Sequence, residues 1–282
     1  MSSLIQWYPG HIAKAEKALL EQLKRVDVVI EVRDARIPFS SQHPKIKTWI
    51  ADKSHVLVFN RVDMISESVR SQWVKWHRKR DQMVYFTDAQ AGKGIKELLK
   101  AAQVAGVKIN ERRKSRGMLP RPVRAVVIGF PNVGKSAVIN RLLNRRAAES
   151  SNRPGVTRQL RWIRISDQIE LLDTPGILPP VLHDQDAALK LAICDDIGEA
   201  AYDNTLVAAA TIDLLIKLQA PLSDRYGIDP LNPPLESGLD YIMTLAETDR
   251  FKGDSERVAR QILHDYRKGR LGAIALELPS LD

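Results

Sequence analysis

Short apolar runs alternate with amphipathic stretches through the first two thirds of this chain. Val26 to Val32, His55 to Phe59, Met83 to Phe86 and Ala125 to Ile128 are brief, β-branched and almost uninterrupted by charge. Runs of that length and composition predict strands buried on both faces, as in a parallel sheet. Between them apolar residues recur at helical spacing. Ile12 to Arg25 carries Ile12, Ala15, Leu19, Leu20 and Leu23 on one stripe, while Lys45 to Asp52, Ser68 to Arg80 and Ile95 to Val104 complete the alternation. Strand–helix–strand order with short connections predicts an α/β unit. Two more strands are expected at Leu160 to Ile165 and Ile169 to Leu172.

Two segments interrupt this rhythm. Lys108 to Arg124 carries seven basic residues against Glu111 alone, and Gly117, Pro120 and Pro122 predict a linker rather than one long helix. Beyond Pro179-Pro180 the texture becomes Ala-, Leu- and Ile-rich. Ala187 to Ile193, Thr205 to Leu218, Leu239 to Ala246 and Ser255 to Lys268 read as helices, with prolines between them. The expected fold is therefore an α/β domain with a mostly parallel sheet over residues 1–180, followed by a smaller all-helical domain over 181–282.

Composition narrows the possibilities. The 282 residues give ample core for one large or two modest domains. No apolar run approaches a membrane span, and Met1 to Gln6 has no charged-then-apolar leader. Cys194 is the only cysteine, which excludes an internal disulfide or a multi-cysteine zinc site. A cytoplasmic protein without membrane partners is expected. The formal charge of +9 predicts a polyanionic partner.

Chemistry enters where the strand Ala125 to Ile128 runs into Gly129-Phe130-Pro131-Asn132-Val133-Gly134-Lys135-Ser136 and then helix-forming sequence. The pattern G-x-x-x-x-G-K-S is a phosphate-binding loop. Glycines let the backbone curl so that N–H groups from Asn132, Val133 and Gly134 through Ala137 face an anion, aided by the N-terminal dipole of the helix. Lys135 is expected to reach the β- and γ-phosphates, and the Ser136 hydroxyl to hold Mg²⁺. Asp173-Thr174-Pro175-Gly176 closes an apolar strand about forty residues on. There Asp173 would hold Mg²⁺ through water and the Gly176 N–H would meet the γ-phosphate. Thr157, in the polar loop between, would add its hydroxyl to Mg²⁺ when triphosphate is bound.

Base choice falls to Asn60-Arg61-Val62-Asp63 at the end of a strand. A carboxylate at Asp63 can accept both the N1–H and the N2 amino protons of guanine, and adenine lacks that pair. A site built to pair such groups rejects a partner without them by up to ~10⁴–10⁵-fold. Ala89, in Asp88-Ala89-Gln90, is placed to donate its N–H to the guanine O6.

These elements resemble the translation-factor-like GTPases, with one difference of order: the base-reading motifs precede the phosphate-binding ones. That is a circularly permuted GTPase. Within this group the chain is similar to the ribosome biogenesis GTPase A family. The similarity rests on Ile5 to His11, Asp34-Ala35-Arg36-Ile37-Pro38, Gly129 to Ser136, Arg153 to Thr157 and Leu171 to Leu178, with Asp224-Arg225-Tyr226-Gly227 as an echo further on. The resemblance implies a slow GTPase that binds GTP and GDP with Mg²⁺, docks on a large ribosomal subunit precursor and leaves on hydrolysis. An RNA-linked GTPase serving tRNA modification is the second reading. Arg61 stands where the family pattern has lysine, with its guanidinium expected over the purine face. Asp88 stands where Ser or Asn is usual. Ile177 replaces a water-positioning glutamine, and the resemblance points to His11 for that role and to Asn132 as a ligand for an activating K⁺.

Overall fold

The computed structural model describes residues 12–143, 161–166, 169–174 and 184–280. Helix α1 (Ile12–Leu23) leads into strand β1 (Val28–Asp34), then α2 (Ile46–Ile50), β2 (Ser54–Asn60), α3 (Glu67–Arg78), β3 (Val84–Thr87) and α4 (Ile95–Ser115). Strand β4 (Val123–Ile128), α5 (Lys135–Leu142) and the hairpin-like pair β5 (Arg161–Ser166) and β6 (Ile169–Asp173) follow. Helices α6 (Gln185–Ile193), α7 (Asn204–Lys217), α8 (Leu222–Tyr226), α9 (Gly238–Ala246) and α10 (Ser255–Arg267) complete the order.

The six strands lie in the order β3-β2-β1-β4-β6-β5. All neighbours are parallel except β5, which runs antiparallel to β6 at the edge. Every residue of β1 is buried, as its central place demands. Alternation along the strands sorts the two faces. Val28, Ile30, Val32, Ala125 and Val127 share a core with α4, α5 and the helices from α6 onward. On the opposite face Val29, Val126 and Ile128 pack with Leu19 and Leu23 of α1 and Trp49 of α2. Beside them Leu57 and Phe59 pack with Trp73 of α3. The result is a three-layer α/β/α arrangement whose first core continues into the helical segment.

Helices α6, α7, α9 and α10 each begin at a side-chain cap: Asp184, Asp203, Ser237 and Asp254 accept N–H groups of the first turn. Within this segment α7 packs on α9 and α10, burying Val207, Ala208, Ile212 and Leu215.

Three expectations need correction. The basic segment after Val104 is helical as far as Ser115, because Arg112, Arg113 and Lys114 fall in the last turn of α4, where positive charge favours the helix dipole. Gly117, in the left-handed region at φ 71°, is where the helix actually stops, and the prolines lie beyond it. Leu20 is 42% exposed, so the stripe of α1 narrows to Leu19 and Leu23 among its described side chains. The short helix α8 was not expected. Among the described residues no helix is long and apolar enough to cross a membrane.

Candidate nucleotide site

The C-terminal ends of β1, β2, β3, β4 and β6 converge on one rim of the sheet, the rim where open α/β sheets bind ligands. There β4 ends in the glycine loop and α5 starts at Lys135. Gly134 adopts φ 97°, and a Cβ on it would fall 2.2 Å from the Asn60 amide nitrogen. Only glycine allows that approach. The Lys135 ammonium is buried and donates to the Phe130 carbonyl at 2.8 Å, folding back across its own loop. Ser136 follows in the first turn of α5. Asp173 pairs in register with Val127, one strand over from the loop, and Thr174 donates to the Val127 carbonyl at 2.6 Å.

Asn60 joins three loops. Its amide nitrogen donates to the Val133 carbonyl at 2.9 Å in the glycine loop. Its oxygen accepts from the Thr87 hydroxyl at 3.0 Å and from the Ala89 N–H at 3.2 Å. The Ala89 N–H, expected at the guanine O6, is thus also within reach of Asn60. The Ala89 and Gln90 carbonyls are braced from α5 by the Arg141 guanidinium. Asp88 turns its carboxylate inward to the Ala91 N–H at 2.9 Å.

Val62 and Asp63 lie on a one-turn 3₁₀ helix, Val62–Met64, with Asp63 exposed at the mouth of the site. Partial desolvation raises the Asp63 carboxyl above its ordinary range, and the neighbouring Asp88 carboxylate adds to the effect. Ala137 and Val133 line α5 and the loop as the motif implies, with Val133 fully buried.

Arg61 sits in the left-handed region at φ 62°. It donates to the Asn132 carbonyl at 2.7 Å and the Cys194 carbonyl at 3.3 Å, and lies 3.2 Å from Asp34. The forked guanidinium reaches all three acceptors at once. Asn132, also left-handed at φ 54°, donates its amide to the Asp195 carbonyl at 2.6 Å.

Beneath Arg61 lies a buried ionic layer. Arg36 and Asp34 are fully buried and joined bidentately at 3.0 and 2.7 Å, and Arg36 also donates to the Cys194 carbonyl. Burial works to raise the Asp34 carboxyl, but Arg36 and Arg61 hold it below its ordinary value. Asp196 is fully buried too, and neither carboxylate oxygen has a hydrogen-bond partner among the described residues. Burial, reinforced by Asp34, drives its carboxyl well upward. The Asp34-Ala35-Arg36 stretch is also where the chain end docks. The Arg36 carbonyl accepts from Leu276 and Glu277, and the Glu277 carboxylate accepts from Phe39 and Ser40. Arg267 of α10 donates to the Ala192 and Ile193 carbonyls at the end of α6.

The structure therefore brings Asn60, Arg61, Val62, Asp63, Asp88, Ala89 and Asn132 to Ala137 to one rim, with the backbone of Asp173 beside them. His11, Thr157, Gly176 and Ile177 lie outside the described residues. Sequence reasoning missed the turn Cys194 to Asp196, Arg141 and Arg267. Only the acidic pair Asp195-Asp196 in an apolar helix end could have signalled the first of these.

Comparison with known proteins places this geometry in context. A family model described as "50S ribosome-binding GTPase" matches residues 124–229. Ribosome biogenesis GTPase A of Bacillus cereus is 36% identical over 279 residues, 98% of this chain and 94% of that protein. The protein of the same name from Priestia megaterium is 34% identical over 98% and 97% of the two chains. Mitochondrial ribosome-associated GTPase 1 of Xenopus tropicalis is 29% identical over 96% and 94%. Among solved structures, GNP-bound YlqF from T. maritima superposes with a TM-score of 0.67 at 24% identity, over 95% of this chain and 99% of that one. That likeness bears on the fold.

Proposed function

This chain belongs to the ribosome biogenesis GTPase A family, and from that premise and the rim geometry we propose how it works. It binds GTP, hydrolyses it to GDP and phosphate, and acts in assembly of the large ribosomal subunit. The observation that carries the reading is Asn60, which ties the base-reading strand end, the Thr87 to Ala89 loop and the phosphate loop into one cradle. Guanine is read by the Asp63 carboxylate, with the Ala89 N–H at O6. Lys135 exchanges the Phe130 carbonyl for β- and γ-phosphate oxygens, and N–H groups from Asn132 to Ala137 surround the phosphates.

An oxygen donor set suits a hard cation. Ser136 directly, Asp173 through water and Thr157 in the triphosphate state would hold Mg²⁺, which supplies charge neutralisation at the phosphates. The Asn132 amide oxygen would take K⁺. Gly176 would report the γ-phosphate to the segment that follows. His11 orients the attacking water in place of the aliphatic Ile177, and it does so in the complex with the ribosomal subunit. The division into a GTPase domain over 1–180 and a helical ribosome-facing domain over 181–282 belongs to this proposal. So do the large-subunit precursor as direct partner and a cytoplasmic place of work, which the bacterial relatives support. Service to tRNA modification is the weaker reading, since the full-length relatives carry ribosomal names.

Competition against a fluorescent GDP analogue tests the base assignment. GTP and GDP should compete and ATP should not, and Asp63→Asn should shift preference toward xanthine nucleotides. Competition by ATP at comparable concentration would overturn it.

A further inference from the structure

Helix α5 opens with Lys135 and Ser136 and carries Arg141 in its last turn. The two ends stand ~9 Å apart along the helix axis. The phosphates need only the first end. From the second, the Arg141 guanidinium reaches out to carbonyls 52 and 51 residues earlier in the chain. Its Nε donates to the Ala89 carbonyl at 2.8 Å, and its Nη2 donates to the Gln90 carbonyl. Gly92 turns at φ 81°, and a Cβ added there would sit 3.7 Å from the guanidinium, so the loop closes around Arg141.

This is the loop whose Ala89 N–H is assigned to guanine O6. That N–H lies 3.2 Å from the Asn60 side-chain oxygen, so it has two claimants. The other hydrogen bonds from Asp88 to Lys93 close the loop on itself. The Asp88 carbonyl accepts from the Gly92 and Lys93 N–H groups at 2.7 and 3.0 Å, and its carboxylate accepts from Ala91. The Ala89 methyl is buried, but apolar burial is non-directional and does not set the tilt of a peptide plane. A loop oriented through the Ala89 N–H alone would loosen when that N–H turned to the base. Arg141 supplies ties that leave the N–H out. Its bonds to two successive carbonyls are charge-assisted, and the planar fork fixes their direction as well as their distance.

We infer that Arg141 is a specificity-determining positioning residue, which aims the Ala89 N–H at the 6-position of the purine. The inference rests on the guanine reading above and extends it to a residue outside the base-reading motifs. A donor held at that position favours a 6-oxo purine. It opposes the 6-amino group of adenine, which would meet it donor to donor. Because α5 also carries Lys135 and Ser136, one rigid helix sets where the base and the phosphates stand relative to each other.

The test uses the full chain with Mg²⁺ and a fluorescent GDP analogue, displaced by GDP or by 6-thio-GDP. The thio nucleotide keeps the N1–H and N2 amino groups that Asp63 reads and replaces O6 with a poorer acceptor. Wild type should prefer GDP by ~5-fold, the contribution of about one net hydrogen bond. In Arg141→Ala, GDP should weaken ~5-fold and 6-thio-GDP by less than ~2-fold, which brings the ratio close to unity. Arg141→Lys puts a single ammonium in place of the fork and should give an intermediate ratio. It carries the same test if the alanine variant does not fold. A wild-type ratio in either variant, even with both nucleotides weakened alike, would overturn the inference and leave Arg141 as structural support. No preference in wild type despite normal GDP binding would remove the Ala89–O6 contact and the inference with it, leaving the GTPase reading intact. Failure of wild type to bind GDP would overturn that reading itself.

Discussion

Replacing Asn60 with alanine should separate the three loops that make the nucleotide site. Asn60 is 3% exposed, so no water takes over its bonds without rearrangement. The change removes a donor to Val133 and an acceptor shared by Thr87 and Ala89. At roughly 1 kcal/mol net for each of these hydrogen bonds the loss is about 3 kcal/mol, and stranding the Val133 carbonyl works in the same direction. If all of it appeared in binding, GDP affinity would fall ~100-fold, because 1.4 kcal/mol is a factor of ten. Part should appear as stability instead, since β2 and β4 belong to the central sheet. Fluorescent GDP titration and urea unfolding of the nucleotide-free chain measure the two parts separately. Thr87→Val removes one of the three bonds and should cost about a third as much in the sum. Affinity within threefold of wild type, together with an unchanged urea midpoint, would refute the cradle argument.

Three further outcomes are expected. Asp63 must be ionised to accept guanine's N–H groups, and its carboxyl is raised by partial desolvation and by Asp88. GDP affinity should therefore fall as pH drops through that raised value, and Asp88→Asn should move the fall to lower pH; an unmoved profile would exclude the coupling. Arg36→Met strands the buried Asp34 carboxylate, with only Arg61 left beside it, and should cost about 3–5 kcal/mol in denaturant unfolding. His11→Ala should keep nucleotide and subunit binding yet lose ~10²–10⁴-fold of subunit-stimulated single-turnover hydrolysis. An unchanged stimulated rate would remove His11 from catalysis.

What the sequence by itself determined is local. Apolar periodicity located the strands β1 to β6 and most helices, because burial of a strand or a helix face leaves a pattern within a dozen residues. The phosphate loop and Asn60 to Asp63 were legible for a related reason: a curled backbone beside an anion admits few residue types, and they must be adjacent in the chain. Periodicity says that a face is covered, and it is silent on what covers it. Arg61 illustrates the limit. Its charge and planarity were plain, but its acceptors lie 71 and 133 residues away at Asn132 and Cys194, brought there only when α6 packs beside the loop. The C-terminal Glu277 meets Phe39 across 238 residues for the same reason. Even the length of α4 was decided beyond its own composition. A basic run repels itself in isolation, yet its charges fall at a helix C-terminus, and Gly106 allows α4 to lie against Val123 of the sheet. Long-range packing chose those partners, and no local propensity encodes them.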